Sequence, residues 1–483
     1  MRKYLFVFLA IAAVFVNTQA QKQAGHWYFG RNVGLDFINT RTVNDKNGVA
    51  VDGMPTLEVG PISTNEGCFT LSDADGNLIV ASDGMKVYNK NKTQIASGLN
   101  GNTSSAQSGI LIPYPETPGK YFIISNSCKI LYYSIFDANA NGGLGEVTNI
   151  NTLVPQTTVT QGQLYENVTS QIHANGKDYW LLHRCGPYLF SWLITKNGMP
   201  SAPTVINNIP GTAYPAGKSS QGYMKLSPDG KKICHTMYDG QEVFFADFDN
   251  ETGVISNVII RKFTMMTAGF YSLEFSPQGK NLFLSYLNTP LYVIPVDDFE
   301  TAAPTLISSE LGTCQTGSDG RVYSIQSSGS STYRFGVITN PDDDISSLNI
   351  HVFENFLNGS GAIWGLPSFA PSWFNVSLDG DDSFCENTPQ TFNVTISTSP
   401  GADAVSHTEW DFGDGSPIIT DTNISGTQSH THTYDKKGVY TLTVRVFRQA
   451  DGAEITNQRQ RFSVKVASCV LPVNHNISAM EFY

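Results

Sequence analysis

The sequence predicts an all-β protein, a seven-bladed β-propeller followed by a β-sandwich, on three observations. One strand-turn-strand unit recurs between about Gly67 and Leu357, its starts roughly 40–60 residues apart, the size of a four-stranded blade. Charged residues make up 15% of the chain, against roughly 25% in an average globular protein, so the surface is built from Ser, Thr, Asn and Gly. A Trp410-Asp-Phe-Gly-Asp-Gly415 turn followed by the alternating run Gly438–Val446 marks a separate module.

The chain opens with an address. Arg2 and Lys3 precede an apolar run from Tyr4 to Val16, and the small residues Thr18 and Ala20 suit cleavage before Gln21, so residues 1–20 read as a secretory signal. The run is shorter than the roughly 20 residues a membrane-crossing helix needs. Losing Arg2 and Lys3 takes the formal charge from −12 to −14, which repels polyphosphate and argues against nucleic acid as a partner. The expected setting is extracellular, with association to the outer-membrane surface as an option.

The repeats define the larger domain, about residues 24–375. First strands begin at Gly67-Cys-Phe-Thr-Leu-Ser, Gly109-Ile-Leu-Ile-Pro, Ser170-Gln-Ile-His, Gly222-Tyr-Met-Lys-Leu-Ser, Tyr271-Ser-Leu-Glu-Phe-Ser and Gly312-Thr-Cys-Gln-Thr. Each leads into a Gly-containing turn and then a period-2 aromatic and β-branched strand such as Tyr121–Ser125 or Asp178–His183, the pattern of a hairpin. A seventh first strand is expected at Gly365-Leu-Pro-Ser-Phe-Ala-Pro371, with His26–Gly30 and Gly34–Phe37 supplying its outer strands and closing the ring. The spacing also permits six or eight blades.

The turns Ser227-Pro-Asp-Gly and Ser276-Pro-Gln-Gly resemble those of WD-repeat and lactonase-type propellers. The opening His26-Trp-Tyr-Phe-Gly with Gly34-Leu-Asp-Phe, Asn65-Glu-Gly-Cys and Ser104-Ser-Ala-Gln-Ser-Gly is similar to propeller regions of bacterial surface proteins exported by type-IX secretion and associated with gliding motility. After a linker near Asn375–Asp382, residues 377–469 resemble a PKD domain, carried by Trp410-Asp-Phe-Gly-Asp-Gly, His430-Thr-His-Thr-Tyr434 and Gly438-Val-Tyr. That resemblance implies an immunoglobulin-like sandwich serving as a spacer or contact module. Trp410 and Phe412 are expected in its core, with Asp411, Asp414, His432 and Tyr434 as turn and core residues. Residues 470–483 form a short tail, read as a frayed end or a sorting or docking peptide.

Seven cysteines in an exported chain can pair. A Cys385–Cys469 bond would close a loop of about 85 residues, worth roughly 4–5 kcal/mol. Cys128 and Cys185 fall in matching turns of successive blades and suggest a second bond, while Cys68, Cys234 and Cys314 read as small buried hydrophobes. No Cys-x-x-Cys spacing supports a zinc site.

In a propeller, the loops joining strands 2 to 3 and strand 4 to the next strand 1 gather on one face, the default ligand site. The candidate binding residues there are Asp83, Lys129, Arg184 and Tyr238 in 2–3 turns, Tyr286 beside them, and Glu66, Gln107, Glu166 and Gln221 just before four first strands. That recurring carboxylate or amide forms either a polar ring at the channel mouth or a set of acceptors for backbone N–H groups of the neighbouring blade. Gly-x-Ser-x-Gly, His-Glu-x-x-His and phosphate-loop motifs are absent from the sequence. Asp73-Ala-Asp-Gly-Asn77 lacks the closing Glu of a calcium loop, and His173, His183 and His235 read as structural. No catalytic residue, metal ligand or cofactor is therefore assigned. The expected function is that of an exported binding protein, not an enzyme. It would contact a protein partner of the export or adhesion machinery, or a glycan through Tyr238 and Tyr286. The alternative is a metal-dependent lactonase or hydrolase at the channel mouth, with Glu66 and Glu166 as the candidate ligands.

Overall fold

The structure is a computed structural model. It describes residues 22–467 apart from 74–75, 157–164, 176, 210–220, 264–268, 288–289, 328–332, 360, 363, 371–375, 378–383, 396–404, 423–426, 450–451, 453 and 455–459. The leader, the tail and Cys469 thus lie outside the described residues.

Among these residues the chain is almost entirely β. Residues 26–354 form seven small antiparallel sheets resembling propeller blades, numbered here in chain order. Sheet 1 has three strands, His26–Phe29, Arg31–Asn44 and Ala50–Ser63; the other six have four each, paired in sequence order. The first strands of sheets 2 to 7 are Phe69–Ser72, Gly109–Pro113, Thr169–Ile172, Met224–Leu226, Ser272–Phe275 and Cys314–Thr316. All six fall within or beside the stretches read from the repeats.

Alternation explains why the sheets stack. In Tyr179–Cys185 of sheet 4, Leu181 points into a core shared with Ile110, Ile112 and Phe122 of sheet 3. Its neighbours Trp180 and Leu182 point the other way, into a core shared with Met224, Ile233 and Phe244 of sheet 5. This strand is therefore apolar on both faces, and each large side chain so buried contributes about 1.5–3 kcal/mol. Similar shared cores link sheets 2 and 3, 5 and 6, and 6 and 7. Sheet 1 packs through Trp27, Phe29 and Leu35 against Tyr323, Phe335 and Phe353 of sheet 7 and against Cys68 and Ala81 of sheet 2. The segment expected as a seventh first strand makes one parallel bridge, Pro367 to Cys68, and its Leu366 and Phe369 bury beside Trp27.

Toward the centre the first strands carry polar groups. Lys225 of sheet 5 donates to Glu274 of sheet 6 at 2.5 Å and to Gln315 of sheet 7 at 2.7 Å, all three buried. Sequence reading passed over these residues, although they occupy one position of the repeat.

The C-terminal module is a sandwich. Gly438–Arg448 pairs with Val405–Asp411 on one side and Gln460–Ala467 on the other; Gln390–Thr395 pairs with Thr427–His432. Trp410, Phe412, Leu442, Val444 and Val446 are buried together, and the Tyr434 hydroxyl donates to the Phe412 carbonyl at 3.1 Å. Asp414 caps the Gly415 turn by accepting from Ser416 N at 3.0 Å, and accepts from His432 at 2.7 Å when that ring nitrogen is protonated. The expected linker is corrected at Val376–Ser377, which pairs with Gln460–Ala467 as part of the sandwich.

Candidate functional site

A cavity of about 370 Å³ opens where the segments entering the first strands of sheets 2 to 6 meet the 2–3 turns of sheets 3, 5 and 6. Gly67 sets its wall: a Cβ there would lie 2.2 Å from the Ser108 backbone nitrogen, so only glycine lets the two segments approach and turns Glu66 inward. Glu66 is 7% exposed; it accepts from the Ser104 hydroxyl at 3.0 Å and the Tyr271 hydroxyl at 2.5 Å, and burial raises its carboxyl above the usual range. Glu166, 3% exposed, accepts from Ala106 N at 2.9 Å. Burial first, and the neighbouring Glu66 charge second among the raising effects, push Glu166 up to about 7 against the opposing Ala106 bond.

Five of the nine predicted binding residues meet in this cavity: Glu66, Lys129, Glu166, Gln221 and Tyr238. Lys129 is exposed at the rim, and Tyr238 is half-buried with its ring edge-on to Tyr271. Sequence reading missed Ser104 and Tyr271 as lining residues. Tyr271 stands one repeat position after the acidic or amide site, which hid it.

The other four sit elsewhere. Gln107 is a backbone clip: its Oε1 accepts from Val168 N at 3.1 Å and Met224 N at 2.8 Å, so the neighbouring-blade alternative describes it. Asp83 is buried and caps its own turn by accepting from Met85 N and Lys86 N. Arg184 is not exposed in a turn but fully buried, because the chain reverses at Gly186–Pro187 and Arg184 remains in the strand opposite Leu189. Its Nε donates to the Gly186 carbonyl and its guanidinium lies over Phe244. Tyr286 is 5% exposed and stacked on Phe270 at 4.7 Å, so it offers no platform at the mouth.

The expected Cys128–Cys185 bond is corrected. Cys128 and Cys185 are free thiols, as are Cys68, Cys234 and Cys314, and among the described residues no disulfide joins two cysteines. Matching offsets are not matching sides. Cys128 sits in its turn at φ +69° and lines the cavity, whereas Cys185 ends a strand opposite Tyr188 and enters the core between sheets 3 and 4. Burial pushes the Cys128 thiol up to about 12, which keeps it protonated. Cys385, by contrast, is disulfide-bonded, as the sequence led one to expect; its expected partner Cys469 lies outside the described residues.

A lactonase-type metal centre needs several converging ligands. Glu66 and Glu166 already accept from protein donors, and among the described residues no group of three His, Cys, Asp or Glu side chains converges. The residues present do not fit such a metal. Asp73 closes its hairpin by accepting from Asn77 N at 2.8 Å. Among the described residues no helix is long and apolar enough to cross a membrane.

Residues 375–466 match the family model of the PKD domain, which agrees with the sandwich described above. No curated protein matches the sequence. Among solved structures, the chain is similar to a Bacteroides fragilis protein provisionally named a 6-phosphogluconolactonase, at 11% identity and a TM-score of 0.46, covering 71% of this chain and 97% of that one. It is also similar to the extracellular domain of a provisionally named hybrid two-component system from B. thetaiotaomicron, at 13% identity and 0.42, covering 92% and 56%. A third is a luciferin-regenerating enzyme, at 12% identity and 0.34, covering 69% and 98%. The protein is thus a series of small antiparallel sheets resembling propeller blades, followed by a PKD domain. Two expectations are corrected. Enzymes recur among the matches, so the reading that this chain is not an enzyme does not stand. The tie to type-IX secretion or gliding proteins is not shown either, since the family match is to the PKD domain over residues 375–466.

Proposed function

We propose that the protein is an exported, closed seven-bladed propeller carrying a PKD module, and that the cavity at its mouth hydrolyses a small lactone or ester by general acid-base catalysis. The return of sheet 7 onto sheet 1 supports the closed ring, and the leader reading of residues 1–20 supports export. The observation that carries the reaction is Glu166: a carboxyl at the edge of a 370 Å³ cavity, poised at about 7, exchanges protons efficiently near neutral pH.

Water adds to the substrate carbonyl carbon as its proton passes to Glu166. The ring or ester C–O bond then breaks, and the departing oxygen takes that proton back. Ala106 N orients Glu166, while Ser104 and Tyr271 hold Glu66, whose charge keeps Glu166 basic. Lys129 at the rim favours an anionic substrate. The test is a panel of lactones and nitrophenyl esters offered to the mature chain, with chelator or added divalent metal in parallel. Turnover that falls at least about 100-fold in Glu166→Gln supports the assignment; no turnover by the wild type, or turnover indifferent to Glu166, refutes it.

A second reading rests on the exposure of Lys129 and the partial exposure of Tyr238 at this rim. The same face would then recognise a surface protein or a glycan, with the PKD module as spacer or second contact. Capture of a cell-surface partner that Lys129→Glu abolishes would favour it.

A further inference from the structure

The opposite face of the seven-sheet unit carries a second concavity, independent of the mouth. It lies between sheet 1 and the turns of sheets 2 and 3, with a volume of about 630 Å³. A neighbouring hollow of about 430 Å³ beside the Pro113–Tyr121 turn shares Asp73 and Ile79 with it, so the two form one groove.

The carboxylates in its wall are already engaged. Asp73 accepts from the Asn77 amide at 3.1 and 3.3 Å, and Glu58 accepts from His26, Tyr28 and Lys92 at 2.7, 2.8 and 2.5 Å. Burial alone would raise Glu58; the bonds from His26, Lys92 and Tyr28 hold it down to about 2. Of the four lysines at the rim, Lys92 is thus paired with Glu58 and Lys120 faces Asp137 at 3.5 Å, while the exposed Lys90 and Lys177 stand in different hollows and form no continuous row. What the groove presents outward is a set of exposed amides, Asn77, Asn91 and Asn139, beside apolar Ile79 and Leu144. In the adjoining hollow stands the half-buried Tyr114 ring, held parallel to Phe122 at 4.9 Å.

That chemistry matches a sugar. Each sugar hydroxyl is donor and acceptor at once, as an amide is, and the C–H face of a pyranose packs on an aromatic ring or an aliphatic side chain. A polyanion would need a row of unpaired cations, and an acyl chain a continuous apolar wall. Two joined hollows suit more than one sugar unit. We propose that this groove binds a neutral oligosaccharide, with one pyranose face on Tyr114 and hydroxyls meeting Asn91 and Asn139.

Isothermal titration of the full mature chain with neutral tetrasaccharides of glucose, xylose, mannose and N-acetylglucosamine tests it. At least one is expected to bind with millimolar or tighter affinity. The Asn91→Ala/Asn139→Ala double variant, altered at exposed positions, is expected to keep its melting temperature and bind about tenfold or more weakly. Tyr114→Phe retains the ring and is expected to keep affinity that Tyr114→Ala loses. Absence of binding by every sugar at millimolar concentration overturns the proposal, as does binding unchanged in both the double variant and Tyr114→Ala.

Discussion

The Tyr271 hydroxyl donates to Glu66 at 2.5 Å across 205 positions of sequence, joining the entry of sheet 2 to that of sheet 6. Tyr271→Phe leaves a buried carboxylate oxygen short of a partner, a loss of roughly 1–3 kcal/mol. Urea unfolding is expected to show a lower midpoint with an unchanged slope; an unmoved midpoint would mean the bond does not form.

Glu166 gives a pH signature with a definite sign. Its folded pKa of about 7 lies above the unfolded value near 4.3, so the folded state holds the extra proton. The stability this provides is complete below about pH 4 and is lost as pH rises through 7. The span is on the order of 4 kcal/mol. Glu166→Gln is expected to flatten that part of the stability profile, measured by urea midpoints between pH 4 and 8.

Lys225 and Glu274 form a buried pair, so deleting one partner strands the other. Lys225→Met alone is expected to cost about 3–5 kcal/mol, and the double variant Lys225→Met/Glu274→Leu to recover most of it. Equal destabilisation in single and double variants, read by thermal melting, would argue against coupling.

In the PKD sandwich, Trp410→Ala empties the largest core site, with a loss of about 3–5 kcal/mol. Calorimetry of the full chain is expected to show one transition moving down while that of the seven-sheet unit stays in place. Movement of both together would mean the parts unfold as one.

The free thiols are checked directly. Cys128 and Cys185 are both expected to be alkylated in denaturant without reductant, and mass spectrometry of their peptides reads the result. Failure of both to react would restore the bond between them.

Much of this architecture was legible because period-2 runs ending in Asp-Gly, Pro-Gly and Gln-Gly turns define first and second strands with little ambiguity. The Arg31–Asn44 and Ala50–Ser63 hairpin was only partly read: Ile38–Thr42 is exposed at every position, which removes the alternation that reveals a strand. The mouth was half legible. Position within the repeat located Glu66, Glu166 and Gln221, but position alone cannot separate a lining carboxylate from the Gln107 clip, since that depends on which neighbouring N–H lies within reach. Arg184 was misplaced by a shift of one or two residues in the turn, enough to move a side chain from solvent to core. The Lys225, Glu274 and Gln315 cluster was invisible because each was read within an apolar strand and never beside the others.

The packing of Trp27 against Phe369, ring centres 6.1 Å apart, sets the two extremities of the seven-sheet unit side by side. A polypeptide whose extremities meet tolerates being opened elsewhere. Joining residue 24 to residue 370 through a short peptide and starting the chain at the exposed Glu251–Thr252 turn should yield a circular permutant with the same sheets, and would free the sandwich to be relocated to a different blade.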